Sequence, residues 1–121
     1  MEALKARSLQ PFIPSGSDFG RSRELFLALG FEVIWEADGY AGLRSGEAAF
    51  ILQDYDKPAF AENLMLRIEV TSLDAWWQIV EAENLVQRFP GFRINPPAEL
   101  PWGRESQFVD LAGVCWHVAE A

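Results

Sequence analysis

The chain has 121 residues, half of them hydrophobic, which is the length of one domain and enough for one modest core. Eighteen acidic against ten basic residues give a net charge of -8, which disfavours nucleic acid and anionic membranes as partners and favours a neutral or cationic small molecule. No apolar run approaches the roughly 18 residues of a membrane span, the first ten residues lack the apolar stretch of a signal peptide, and a single cysteine permits no internal disulfide, so a reducing cytoplasm is the expected compartment.

Residues 8–14 (SLQPFIP) predict a short strand, with Pro11 placing it at an edge or in irregular backbone. Residues 18–29 predict a helix. Ser17 or Asp18 caps its start, because a short polar side chain there accepts from free backbone N–H groups. Gly30 ends it as a left-handed residue, and Phe19, Leu25, Phe26 and Leu29 supply its buried stripe. Residues 31–53 predict three strands, at about 31–36, 40–44 and 48–53, joined by tight turns. Asp38-Gly39 is the stronger turn signal and Ser45-Gly46 the weaker. After a connector, residues 64–70 (LMLRIEV) alternate as a half-buried strand does.

Thr71 and Asp74 resemble a capping box opening a second helix at 72–84, with Leu73, Trp76, Trp77 and Val80 on its apolar face. The two adjacent Trp point about 100° apart, so one is expected in the core and the other is available to a dimer contact. The stretch FPGFRINPPAELPWG holds four Pro and two Gly and predicts loop, with one short strand near 92–94. The end, SQFVDLAGVCWHVAE, predicts a hairpin turning at 110–113. The order strand–helix–three strands thus occurs twice. It predicts an α+β domain of paired βαβββ modules, approximately 5–56 and 63–121, whose curved, mostly antiparallel sheets form a cup with helices on the outer face.

Side chains alternate across a strand, and this parity sorts core from cup. Val114, Trp116 and Val118 form the apolar set of the last strand and should pack under a helix. Cys115 and His117 then face the cup. By the same logic Leu64, Leu66, Ile68 and Val70 are core, with Met65, Arg67 and Glu69 opposite; Phe50 and Leu52 are core, with Ala49, Ile51 and Gln53 opposite. The expected cup is Gln10, Phe12, Ile51, Gln53, Met65, Arg67, Glu69 and His117. Apolar walls with a few polar groups suit a small-molecule pocket, although an ordinary solvent-exposed sheet face carries the same mixture.

His117, the only histidine, can exchange hydrogen bonds with a ligand near neutral pH. As a base it would need an orienting partner, for which Glu69 or Gln53 are the candidates; the plainer reading is a strand His fixed by one hydrogen bond. Cys115 reads as a small buried hydrophobe rather than a nucleophile. Trp102 sits in a Pro/Gly-flanked loop where sheet packing does not explain it, and its ring could stack on a planar or cationic ligand. Trp35 and Tyr55 are candidates for the pocket wall.

The segments PSGSDFGRSRELFLALGFEV, LRSGEAAFILQ, RIEVTSLDAWW and PWGRESQFVDLAGVCWHVAE together resemble the vicinal oxygen chelate superfamily, which includes glyoxalase I, extradiol dioxygenases and the bleomycin and fosfomycin resistance proteins. The likeness spans nearly the whole chain and is greatest to the bleomycin-resistance branch. One departure is the final turn, where Asp110-Leu111-Ala112-Gly113 stands for Asp-Pro-Asp-Gly.

The resemblance implies paired βαβββ modules, commonly a homodimer, and a ligand groove beside the Trp102 loop. In the catalytic branches it implies a divalent metal on four side chains. Those positions fall on Gln10, Ile51 (with Gln53 one pleat on), Met65 and His117. Ile cannot ligate, thioether suits soft ions, and a catalytic zinc needs about three good protein ligands. The expectation is therefore a protein without metal or other cofactor that sequesters a neutral, cationic or aromatic ligand as bleomycin-resistance proteins do. The alternatives are a metal-dependent lyase, isomerase or dioxygenase, and an interaction module with a filled cup.

Overall fold

The computed structural model describes residues 4–121. A first sheet holds β1 (Phe12–Pro14), β2 (Glu32–Ala37), β3 (Tyr40–Ser45) and β4 (Ala48–Gln53) in the order β1-β4-β3-β2; a second holds β5 (Met65–Val70), β6 (Arg93–Leu100), β7 (Gly103–Val109) and β8 (Cys115–Glu120) in the order β5-β8-β7-β6. In each sheet one pair, β1/β4 or β5/β8, is parallel and the rest antiparallel. The helices are α1 (Phe19–Ala28), α2 (Pro58–Ala61), α3 (Leu73–Ala82) and α4 (Leu85–Arg88). This is the expected α+β arrangement of two βαβββ units.

Asp18, rather than Ser17, caps α1, accepting from the Arg21 N–H at 3.0 Å. Gly39 adopts the positive φ of 75° that its turn needs. The cap of α3 is Ser72, not Thr71: its hydroxyl accepts from the Ala75 N–H at 3.2 Å, and Asp74 falls in the first turn. The largest departure is β6. The expected loop is an eight-residue strand, and the register shifts between Asn95 and Ala98, where Pro96 and Pro97 stand. An edge strand with a bulge tolerates residues that cannot donate, so the two prolines interrupt the ladder without ending it.

The two sheets share one core through the faces that parity assigned to it. Leu43, Phe50 and Leu52 of the first sheet and Phe108, Trp116 and Val118 of the second are all buried. The sheets meet where Phe50 lies 5.2 Å from Trp116, with Phe26 of α1 packed 4.9 Å from Phe50 and 5.4 Å from Trp116. Trp116 also stacks on Phe108 at 5.7 Å and an interplanar angle of 6°. Such aromatic pairs each contribute about 0.5–1.5 kcal/mol beyond the area they bury.

Trp116 is anchored from the turn that precedes it. Asp110 is buried, and its Oδ1 accepts the backbone N–H groups of Ala112, Gly113 and Val114 at 3.0, 3.1 and 3.0 Å; Oδ2 accepts from Trp116 Nε1 at 2.9 Å. Burial pushes the Asp110 carboxyl above its ordinary value, and the four donors act against that rise. The hairpin turn and the central aromatic are thereby one structural unit.

Candidate functional site

Because the sheets meet through their core faces, the opposite faces are left to solvent. On the second sheet that face carries Met65 and Arg67 from β5, Cys115 and His117 from β8, and Glu105 and Gln107 from β7. The register aligns Arg67, His117 and Gln107 in one row and Met65 with Cys115 in the next. A depression of about 370 Å³ opens here, lined by Met65, Leu66, Arg67, Trp102, Glu105 and His117.

Glu105 organises this surface. Its side chain is only 2% exposed against 22% for His117, and its Oε1 lies 2.7 Å from His117 Nδ1. Oε1 also accepts from Gln107 Nε2 at 2.9 Å, and Oε2 accepts from Trp102 Nε1 at 3.2 Å. Burial opposes ionisation of Glu105, but the bonds from His117, Gln107 and Trp102 outweigh it and hold the carboxyl below its ordinary value. A carboxylate can only accept, so the proton on His117 sits at Nδ1 and, in the neutral ring, the Nε2 lone pair faces outward. That nitrogen lies 3.8 Å from Cys115 Sγ. Burial raises the Cys115 thiol, and the nearby Glu105 and Asp110 carboxylates raise it further. The thiol is therefore not activated as a nucleophile.

The expected orienting partners of His117 were Glu69 and Gln53, and neither serves. Glu69 pairs with Arg67 at 2.7 Å, both side chains about half exposed, and Gln53 belongs to the other sheet, paired with Tyr40. Glu105 is the residue that sequence reasoning missed. The signal was available: 105, 107 and 109 share a face of β7, and a residue two positions from the cross-strand partner is a diagonal neighbour. Cys115 is half-buried rather than buried, because it shares the open face with His117.

Met65, Arg67, Trp102 and His117 thus line one depression. Trp102 is 68% exposed and Met65 66%, so the indole is held by its N–H while a ring face stays open. The other predicted wall residues lie elsewhere. Phe12, Ile51 and Trp35 form one cross-strand row on the first sheet, with Gly42 between Ile51 and Trp35. Phe12 is 56% exposed and meets Tyr40 edge-on at 6.0 Å. Gln10 precedes β1 and donates to Ser8 Oγ at 3.1 Å. Tyr55 follows β4 and packs edge-on against Phe60 at 6.4 Å.

Trp35 lies flat across Gly42, whose hypothetical Cβ would come 2.1 Å from the indole Nε1. Gly42→Ala should therefore expel the indole from that face. We expect a changed near-ultraviolet circular dichroism spectrum and a loss of about 1–2 kcal/mol in urea unfolding.

A divalent metal of the kind the superfamily's enzymes hold does not fit these residues. Ile51 offers no donor, Met65 only a soft one, and both Glu105 oxygens are already engaged. No group of three or more His, Cys, Asp or Glu among the described residues is placed to hold a metal ion.

No family model and no curated protein sequence matches the chain. Solved structures do. The bleomycin-binding protein from bleomycin-producing Streptomyces verticillus, complexed with copper(II)-bleomycin, superposes with a TM-score of 0.80 at 25% identity, covering 98% of each chain. The chain has the bleomycin-binding-protein fold. A bleomycin resistance determinant encoded on the transposon Tn5 matches with a TM-score of 0.80 at 19% identity, over 95% of this chain and 98% of that one. TnmS3, an antibiotic binding protein from Streptomyces sp. CB03234, matches at 0.68 and 18% identity, over 96% and 98%. A glyoxalase/bleomycin resistance protein from the same Streptomyces strain matches at 0.66 and 17% identity, over 93% and 100%. The fold thus spans antibiotic-binding and glyoxalase-type proteins, and the chemistry must be read from the site.

Proposed function

We propose that the protein sequesters a cationic, partly planar small molecule of the bleomycin kind, without metal and without covalent chemistry. The observation that carries this reading is the Trp102–Glu105–His117 constellation. An open indole face is fixed beside a buried carboxylate on the rim of a depression that a ligand can enter. A ring face attracts planar cations, and the chain's net charge of -8 adds long-range attraction. The likeness to bleomycin-binding and antibiotic-binding structures supports the same reading.

The depression is lined by the second sheet alone, and about 370 Å³ is small for a glycopeptide drug, given pockets that enclose most of a ligand's surface. The first sheet carries a complementary face of Phe12, Trp35, Ile51 and Gln53. In this reading a second copy brings that face over the His117 depression, so the binding unit is a homodimer with two equivalent grooves. Its setting is the cytoplasm, in keeping with the single free Cys115. No helix among the described residues is long and apolar enough to cross a membrane.

Titration calorimetry with bleomycin tests the reading, with one drug per chain expected; an absence of heat with bleomycin and other cationic aromatics removes it. Trp102→Ala should weaken binding by about 2–30-fold, the equivalent of a stacked cation–ring contact. Light scattering on the eluting protein checks the dimer.

A further inference from the structure

The Cys115 sulfur has no part in that reading, yet it lies 3.8 Å from Nε2 of His117, and Met65, on the wall of the depression, is its register partner on the adjacent strand. We propose that Cys115, His117 and Met65 form a site for a soft monovalent metal ion, Cu(I) or its surrogate Ag(I). The inference goes beyond drug sequestration and does not depend on it.

Parity and register place the three donors together. Cys115 and His117 are two apart on β8 and share a face, and Met65 is the register partner of Cys115 on the adjacent parallel strand. Cys115 Sγ and His117 Nε2 are 3.8 Å apart. Metal–thiolate and metal–imidazole bonds of about 2.3 and about 2.0 Å would bridge that gap at an angle of about 125°. This is near the trigonal value, so the distance between the two atoms, both on β8, suits an ion between them.

The tautomer is already the one a metal needs. Glu105 Oε1, 2.7 Å from Nδ1, accepts a hydrogen bond from that nitrogen and leaves the Nε2 lone pair free, 3.8 Å from Cys115 Sγ. A carboxylate behind a ligating histidine fixes the ring and raises its donor strength. Thiolate, thioether and imidazole together select a soft ion. A hard dication is disfavoured because two of the three donors are sulfur and both Glu105 oxygens are already engaged. The Arg67 guanidinium, the register partner of His117, is paired with Glu69 at 2.7 Å. The carboxylates of Glu105 and Asp110 both act on Cys115, and their negative charge favours a cation. Binding breaks the Cys115 S–H bond, forms a sulfur–metal bond and releases one proton to solvent; the metal keeps its oxidation state.

The chain has one histidine and one cysteine, so spectra report single residues. The test titrates the reduced full-length protein with Cu(I) delivered from a competing bicinchoninate complex, and separately with Ag(I) in chloride-free buffer. We expect one equivalent bound and a thiolate-to-metal charge-transfer band. In ¹⁵N spectra the Nε2 resonance should move and the Nδ1–H resonance should remain.

Cys115→Ser should weaken binding at least about 100-fold, and His117→Gln and Met65→Leu, the latter at a solvent-exposed position, each by at least about tenfold, the least that even a partner behind a ligand costs. No binding above the level of the competing chelator overturns the proposal. So does binding that only Cys115→Ser affects, which would be a lone thiol. Zn(II) bound as tightly as Cu(I) overturns the claim that the site is soft. Circular dichroism of each variant separates loss of the site from loss of the fold.

Discussion

Asp110→Ala should destabilise the fold by about 3–5 kcal/mol, a large share of the roughly 5–15 kcal/mol that holds a domain folded. The side chain is buried and its two oxygens accept four N–H donors. Each buried donor left without a partner costs about 1–3 kcal/mol. Water can reach the Ala112 and Gly113 donors as the turn opens, because both residues are only partly buried. It cannot readily reach the other two, the backbone N–H of the fully buried Val114 and the indole N–H of Trp116, which is 2% exposed and stacked on Phe108. Losing the anchor therefore loosens the aromatic seam between the sheets as well as the turn. Asp110→Asn is the informative companion. One amide oxygen can serve either the turn or Trp116, and its NH₂ then faces the other donor, so an intermediate loss is expected. Urea unfolding gives both values. A loss below about 1 kcal/mol for the alanine variant would mean that the seam does not depend on this carboxylate.

The element order was legible because its signals are local. Asp38-Gly39, Gly30 and the alternation of residues 114–118 each constrain only their neighbours, and the parity of β8 put Trp116 in the core and His117 on the open face. The strand β6 was not legible, since Pro96 and Pro97 read as loop until an edge position and a bulge accommodate them. The pairing of Glu105 with His117 depends on which strand lies beside β8 and in what register, and only the sheet supplies that. Likewise, the expected cup held Ile51 and His117 together, whereas the structure puts them on the open faces of different sheets. Two sheets that meet through Phe50 and Trp116 turn those faces outward, a consequence of packing between modules that no single segment encodes.

Glu105→Gln should lower affinity for a bleomycin-type cation by about 10–100-fold, through lost preorganisation and lost charge that together cost about 1.4–2.8 kcal/mol. The substitution preserves shape but not acceptor count. With the amide oxygen in the Oε1 place, His117 and Gln107 keep a partner while the NH₂ group opposes the Trp102 N–H. With the oxygen in the Oε2 place, Trp102 is kept and the conflict moves to His117 and Gln107. Either arrangement frees one side of the constellation, so the indole or the imidazole must be ordered at the moment of binding. The variant also removes a buried charge that lines the depression. Calorimetry should therefore show weaker binding with a less favourable enthalpy and a shallower salt dependence, because fewer charges attract the ligand. The ¹⁵N spectrum of the single histidine distinguishes the two arrangements, since only the second exchanges the Nδ1–H tautomer for the other. Trp102→Ala combined with Glu105→Gln should cost less than the sum of the two, because residues within one hydrogen-bond network are coupled. Full additivity would show that Glu105 and Trp102 act on the ligand separately, and that the 3.2 Å bond between them does not position the ring.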